Sequence, residues 1–253
     1  MKLKKDERFS LSSLKAFAEG GGKGWLDYKA RIFQPSEATL MGSLVDAELF
    51  KTQKVEPWTP PKPDNTLFGS KPNKEAYLQL FAAEEKKGRD AILYAPAGMI
   101  EQAKKAAAKI LSGHCGKFMK GNFQVELEGL IRDRPFRGFA DVVQENTVID
   151  LKVSDRATFD GIARQFWQMK YHWQAYIYKV LSGVENVIYI FSDTDGNCLP
   201  HFVIDPDWYG IAEREISEYL FLFAMWDGKP TGIEGFYPDG YILKPLPYMG
   251  RED

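Results

Sequence analysis

Cysteine is nearly absent: Cys115 and Cys198 are the only two in 253 residues. That excludes a disulfide-stapled fold and leaves too few thiolates for an iron–sulfur cluster. No run of residues approaches the ~20 apolar positions of a membrane helix. The basic start MKLKKDERFS is followed by none of the apolar stretch that a signal peptide needs. Charge of one sign is also missing, since 33 Lys and Arg against 35 Asp and Glu give −2. Any nucleic-acid contact must therefore rest on a local patch. The glycine run GGGKGW lacks the Ser or Thr of a phosphate loop, and no G-x-S-x-G nucleophile elbow occurs. The expectation is a reduced, soluble, cytoplasmic protein without a membrane partner.

What is present suffices for a sizeable core: 44% of residues are hydrophobic and 14% aromatic. Ser12 or Ser13 is expected to cap a short helix ending at Gly20–Gly22, and a second helix fits Leu40–Phe50. Prolines crowd one polar stretch around 57–73, which reads as an irregular insertion. Helices are expected over Lys74–Lys87 and Ala97–Leu111, with a short strand at Ala91–Tyr94 between them. From Asn122 the period becomes two, with Phe123, Val125 and Leu127 alternating with polar residues. Strands follow at Phe136–Val143 and Thr147–Val153, then one long helix over Phe159–Leu181. A hairpin of Val187–Ser192 and Leu199–Ile204 and a last helix at Trp208–Trp226 complete the order. The fold class is therefore α/β, one domain over 1–253, a central mixed sheet flanked by helices. Its parts are a helical region at 10–56, the irregular segment 57–73 and a core at about 90–226.

The chemistry concentrates in Gly138–Ser154. Asp150 and Lys152 are two apart on a strand and project from one face, among apolar Val148, Ile149, Leu151 and Val153. A register symmetric about Glu145-Asn146 sets Asp141 opposite Asp150. Paired carboxylates repel unless a cation lies between them, so a hard divalent ion, Mg²⁺ or Mn²⁺, is expected. A structural Asp–Lys pair is the other reading of the same spacing. Glu126 and Glu128 share a face of the preceding strand, and Glu126 is the preferred additional ligand. On the long helix Trp167, Lys170, Tyr171, Gln174 and Tyr178 form one stripe, suited to lie across a site. Phe166, Met169, Trp173, Ile177 and Val180 form another, suited to the core. Arg132, Arg134, Arg137, Arg156, Arg164 and Lys170 could supply a phosphate-binding patch. A zinc set of His114, Cys115, Cys198 and His201 is incomplete in its spacing.

Three motifs, Gly138-Phe139-Ala140-Asp141, Ile149-Asp150-Leu151-Lys152 and Gln174-Ala175-Tyr176-Ile177-Tyr178, resemble those of the PD-(D/E)xK nuclease superfamily. The last points to its RecB-like branch, and YHWQAYIY resembles phage-type RecE (exodeoxyribonuclease VIII-like) exonucleases. The likeness covers roughly Ser10 to Tyr178. It implies a restriction-endonuclease-like core and hydrolysis of DNA by two ions of Mg²⁺ or Mn²⁺. Asp141 and Asp150 would be ligands, Leu151 would offer its carbonyl and Lys152 would be the catalytic lysine. Gln174 and Tyr178 would support the site or touch DNA. The early helix of such proteins usually carries a ligand His where this chain has Asp46. The resemblance further implies 5′-to-3′ digestion of duplex ends, a single-strand annealing protein as partner, and a homo-oligomer. An endonuclease of the same fold and a non-catalytic DNA-binding module are the alternatives.

Overall fold

In the computed structural model the described residues are 8–30, 36–62, 70–87, 91–154 and 157–232. Helices α1 (Leu11–Ala30) and α2 (Glu37–Phe50) come first, then strand β1 (Val55–Pro57), helix α3 (Lys71–Glu85) and strand β2 (Leu93–Ala95). Helix α4 (Ala97–Ser112) and a short 3₁₀ helix (His114–Phe118) lead into β3 (Asn122–Ile131), β4 (Arg134–Gln144) and β5 (Thr147–Val153). Helices α5 (Phe159–Gln168) and α6 (Tyr171–Ser182), strands β6 (Asn186–Ser192) and β7 (Phe202–Val203) and helix α7 (Pro206–Met225) follow. The main sheet runs β3-β4-β5-β6-β7, antiparallel except for the β5–β6 pair. Only that parallel pair needs a crossover, which α5 and α6 supply. The mixed α/β architecture is as the sequence implied.

Both faces of β5 are covered, which is why its sequence is almost continuously apolar. Ile149 and Leu151 pack with α2 and α4, while Val148 packs with α6 and with Val187, Tyr189 and Phe191 of β6. A third cluster joins α1, α6 and α7 to Ile131 and Phe136. Strand β4 reaches all three clusters, through Phe136, Ala140 and Val142. Ala140 and Val142 are two apart yet pack on opposite sides of the sheet. Gln124, in the left-handed region at φ 48°, marks the same place on β3. The pairing register is identical on either side of it, Phe123 with Val142 and Val125 with Ala140. Both strands therefore exchange faces together without slipping.

Four expected boundaries are corrected. Phe123 does not share the buried face of Val125 and Leu127: it is 41% exposed and its ring meets Phe50 of α2 at 5.4 Å, because Gln124 inverts the alternation. Ser10, rather than Ser12 or Ser13, caps α1, its Oγ accepting from the Ser13 amide at 3.2 Å, and the helix continues beyond a kink at Gly21 (φ 59°). Helix α3 starts at Lys71, three residues early, because Ser70 caps it and Pro72 is tolerated in a first turn. Within the proline-rich stretch, 63–69 lie outside the described residues, as does the tail from 233. The long helix over Phe159–Leu181 is two helices, broken at Lys170 in the left-handed conformation (φ 57°, ψ 41°). The break turns Met169 out of the core stripe and leaves it exposed, and Val180 is exposed as well, whereas Trp173 and Ile177 stay buried.

Candidate active site

The β4–β5 ladder pairs Gln144 with Thr147, Val143 with Val148 and Val142 with Ile149, the register expected, and ends there. Asp141 and Asp150 consequently flank the point where the two strands part. One carboxylate oxygen of Asp141 accepts the Leu151 amide at 2.8 Å, replacing a ladder bond. Its other oxygen accepts from Nε2 of Gln124 at 3.0 Å, which gives the left-handed turn of β3 a use.

Asp150 is 2% exposed. Oδ1 accepts from Nε2 of Gln174 at 3.1 Å and lies 3.2 Å from the Tyr178 hydroxyl. That hydroxyl accepts from Gln174 at 2.7 Å and is nearest the Phe139 carbonyl at 2.5 Å, where its single proton is best placed. Gly138 makes room for this ring, because a Cβ there would come within 3.1 Å of Tyr178 Cε1. Oδ2 of Asp150 contacts the Lys152 ammonium at 2.5 Å but has no well-formed hydrogen bond.

The charges do not balance. Burial and the nearby Asp150 charge, offset in part by Lys152, push Asp46 of α2 up to about 7. Burial, Asp150 and Asp46 hold Asp141 well above the usual carboxylate range despite its hydrogen bond from Leu151. Burial alone would lower Lys152, but Asp150 and Asp141 outweigh it and keep the ammonium above its ordinary value. Lys152 also lies over the rings of Tyr171 at 5.1 Å and Tyr189 at 5.8 Å. Three carboxylates thus share one ammonium, and one buried oxygen lacks a proper donor. An all-oxygen set short of positive charge suits a hard divalent cation. Among the described residues no three His, Cys, Asp or Glu are gathered closely enough to hold an ion.

A structure of a candidate exonuclease from Eubacterium rectale superposes with a TM-score of 0.59 at 17% identity, over 95% of this chain and 91% of that one. The fold is shared. The alkaline exonuclease LHK-Exo of Laribacter hongkongensis aligns at a TM-score of 0.33 and 13% identity, over 72% of this chain and 87% of that one. No protein-family model matches the sequence, and no curated protein matches it.

The remaining expected residues lie as follows. Glu126 stands opposite Phe139 and pairs with Arg137 at 3.4 Å, while the charges acting on Asp141 are those of Asp150, Asp46 and Lys152. The structure thus brings Asp46 to the cluster but not Glu126, because β3 turns over at Gln124. Arg132 pairs with Glu213 of α7, and Lys170 with Glu215, so the basic residues are largely engaged elsewhere. Arg156 is outside the described residues. His114 and Cys115 both reach the Leu199 carbonyl, at 3.2 and 3.6 Å, and His201 meets the Phe118 ring at 4.8 Å. Two residues went unread in the sequence, Gln124 and Tyr189. Tyr189 pairs with Asp150 in the β5–β6 register, and its hydroxyl donates to the Tyr171 carbonyl at 2.8 Å. Only the parallel pairing reveals it.

Proposed function

We propose that this chain is a Mg²⁺- or Mn²⁺-dependent deoxyribonuclease that hydrolyses phosphodiester bonds of duplex DNA from its ends, in the 5′-to-3′ direction. The observation that carries this is the buried Asp150 carboxylate, held on one oxygen by Gln174, which Tyr178 in turn positions, and facing Lys152 with the other. Asp150, Asp141 and Asp46 would hold the metal, together with the Leu151 carbonyl. When bound, it supplies Lewis-acid polarisation and neutralises the crowded carboxylates.

The protein's own groups have separable tasks. Gln174, positioned by Tyr178, fixes the rotamer of Asp150, so that little reorganisation accompanies reaction. Asp141 is aimed by its two hydrogen-bond donors, one from each neighbouring strand. Lys152, whose ammonium is favoured by Asp150 and Asp141, would act as a cation and donor toward developing phosphoryl charge. The polarity and the preference for ends rest on the RecE-like motifs.

The test is degradation of 5′-labelled and 3′-labelled linear duplexes beside covalently closed circles, in Mg²⁺ and Mn²⁺. Stepwise loss from 5′ ends with circles intact is expected. Cutting of closed circles would move the protein to the endonucleases of the same fold, and binding without cleavage would make it a DNA-binding module.

A further inference from the structure

The sheet face next to Asp141 carries a bare aromatic ring. Gly138 faces Tyr178 on α6, so Phe139 projects to the opposite side of the sheet, the side on which Phe50 of α2 meets Phe123. Phe139 is 44% exposed although full burial of such a ring is worth about 2 kcal/mol. The ring is nonetheless fixed. Its backbone carbonyl accepts the Tyr178 hydroxyl at 2.5 Å, and the Arg137 guanidinium lies over it at 5.1 Å. Arg137 is in turn held by Glu126 at 3.4 Å. Two residues of strand, about 6.8 Å of backbone rise, separate Phe139 from Asp141.

We propose that Phe139 is a stacking platform for a base of the DNA strand held in the site, with Arg137 contacting the adjoining phosphate. The inference rests on the deoxyribonuclease reading and adds a substrate-binding element to it. A π-face accepts any base, so the contact grips the strand without reading its sequence. The guanidinium over one face of the ring, paired with Glu126, would supply its positive charge by exchanging that carboxylate for a phosphate, leaving the other face to the base. Because Tyr178 touches both Phe139 and Asp150, a base seated on the ring is indexed to the reacting carboxylates through one hydroxyl.

The probe is a linear duplex with 2-aminopurine near its 5′ end, titrated in EDTA and then cleaved in Mg²⁺. Stacking predicts quenched fluorescence with wild type. Phe139→Ala should bind about tenfold more weakly and lose the quench. Phe139→Trp should stay within about threefold, and Arg137→Ala should lower the salt dependence of binding by about one phosphate contact. If Phe139→Leu equals Phe139→Trp in affinity and quench, the contact is merely apolar and stacking is overturned. If Phe139→Ala binds and cleaves like wild type, the platform is wrong while the nuclease reading stands. If wild type neither binds nor cleaves DNA, both fall, and a protein partner becomes the candidate occupant of this face.

Discussion

Two acidic centres lie on either side of α6, and they are built in opposite ways. Around Asp150 three carboxylates compete for one ammonium, and Asp46 is pushed up to about 7. Around Glu215 of α7, one carboxylate collects donors: Trp173 Nε1 at 2.5 Å, His172 Nε2 at 3.0 Å and Lys170 Nζ at 3.3 Å. Burial would raise Glu215, yet these donors and the Lys170 charge hold it down at about 2. Trp167 stacks on His172 at 5.0 Å, and the Lys170 ammonium lies over Trp167 and Trp173. The second centre satisfies its carboxylate with three donors and pins α6 against α7, although His172 Nδ1 is buried without a hydrogen-bond partner among the described residues. The first has one ammonium for three carboxylates, the shortfall that the proposed cation would meet.

The contrast is testable by removing a charge from each side. Asp150→Asn should reduce cleavage by about 10³-fold or more. It should move the melting temperature of the metal-free protein less than the matching change at Glu215. Glu215→Ala strands three buried or half-buried donors and should cost about 3 kcal/mol, roughly 6–12 °C in melting temperature by calorimetry. Its cleavage rate at low temperature should stay within about twofold of wild type. A larger loss of rate than of stability would mean that the two centres are one.

Acidity separates them further. The folded-state value of Asp46, about 7, exceeds its ordinary 3.8. The stability linked to its neutral form is complete below pH 3.8 and is lost as the pH rises through 7. The metal-free protein should therefore lose about 1 kcal/mol between pH 6 and 8 through Asp46, and Asp46→Asn should reduce that loss. Glu215 runs the other way: its contribution is present above its ordinary 4.5 and disappears as the pH falls toward 2. Melting curves from pH 3 to 8 in EDTA, with Mg²⁺ added at pH 8, measure both limbs. The smallest effect is expected from Gly138→Ala, whose methyl would press Tyr178 by a few tenths of an ångström. Stability should fall by about 1 kcal/mol or less, with a severalfold slower rate at saturating substrate.

Much of the first centre was legible in the sequence because it is local. The two-residue spacing of Asp150 and Lys152, the hairpin register and the four-residue spacing of Gln174 and Tyr178 are all consequences of strand and helix periods. The second centre was not, since Glu215 meets His172 through packing of helices that no short-range pattern connects. The break at Lys170 was hidden for a related reason. Lys has good helix propensity, and it is the capture of its ammonium by Glu215 and two indoles that accompanies the left-handed backbone. Glu126 was misplaced because alternation was extended through Gln124, which carries no glycine-like signal of a turned backbone. Asp46 was read from the family resemblance alone, and the packing of α2 on β5 gives it a physical setting.

Strand β4 has one further consequence, for the order in which the chain acquires its structure. Phe136, Ala140 and Val142 seed three separate apolar clusters, and the partner strand β3 is only a tight turn away in sequence. Contacts this local close quickly, whereas the parallel β5–β6 pairing must wait for α5 and α6 to span it. The β3–β4 hairpin is thus placed to form early and to serve as the shared template on which α1, α2 and α6 condense. Substitutions at Ala140 or Val142 should then slow refolding more than they speed unfolding, and those at Ile190 should do the reverse.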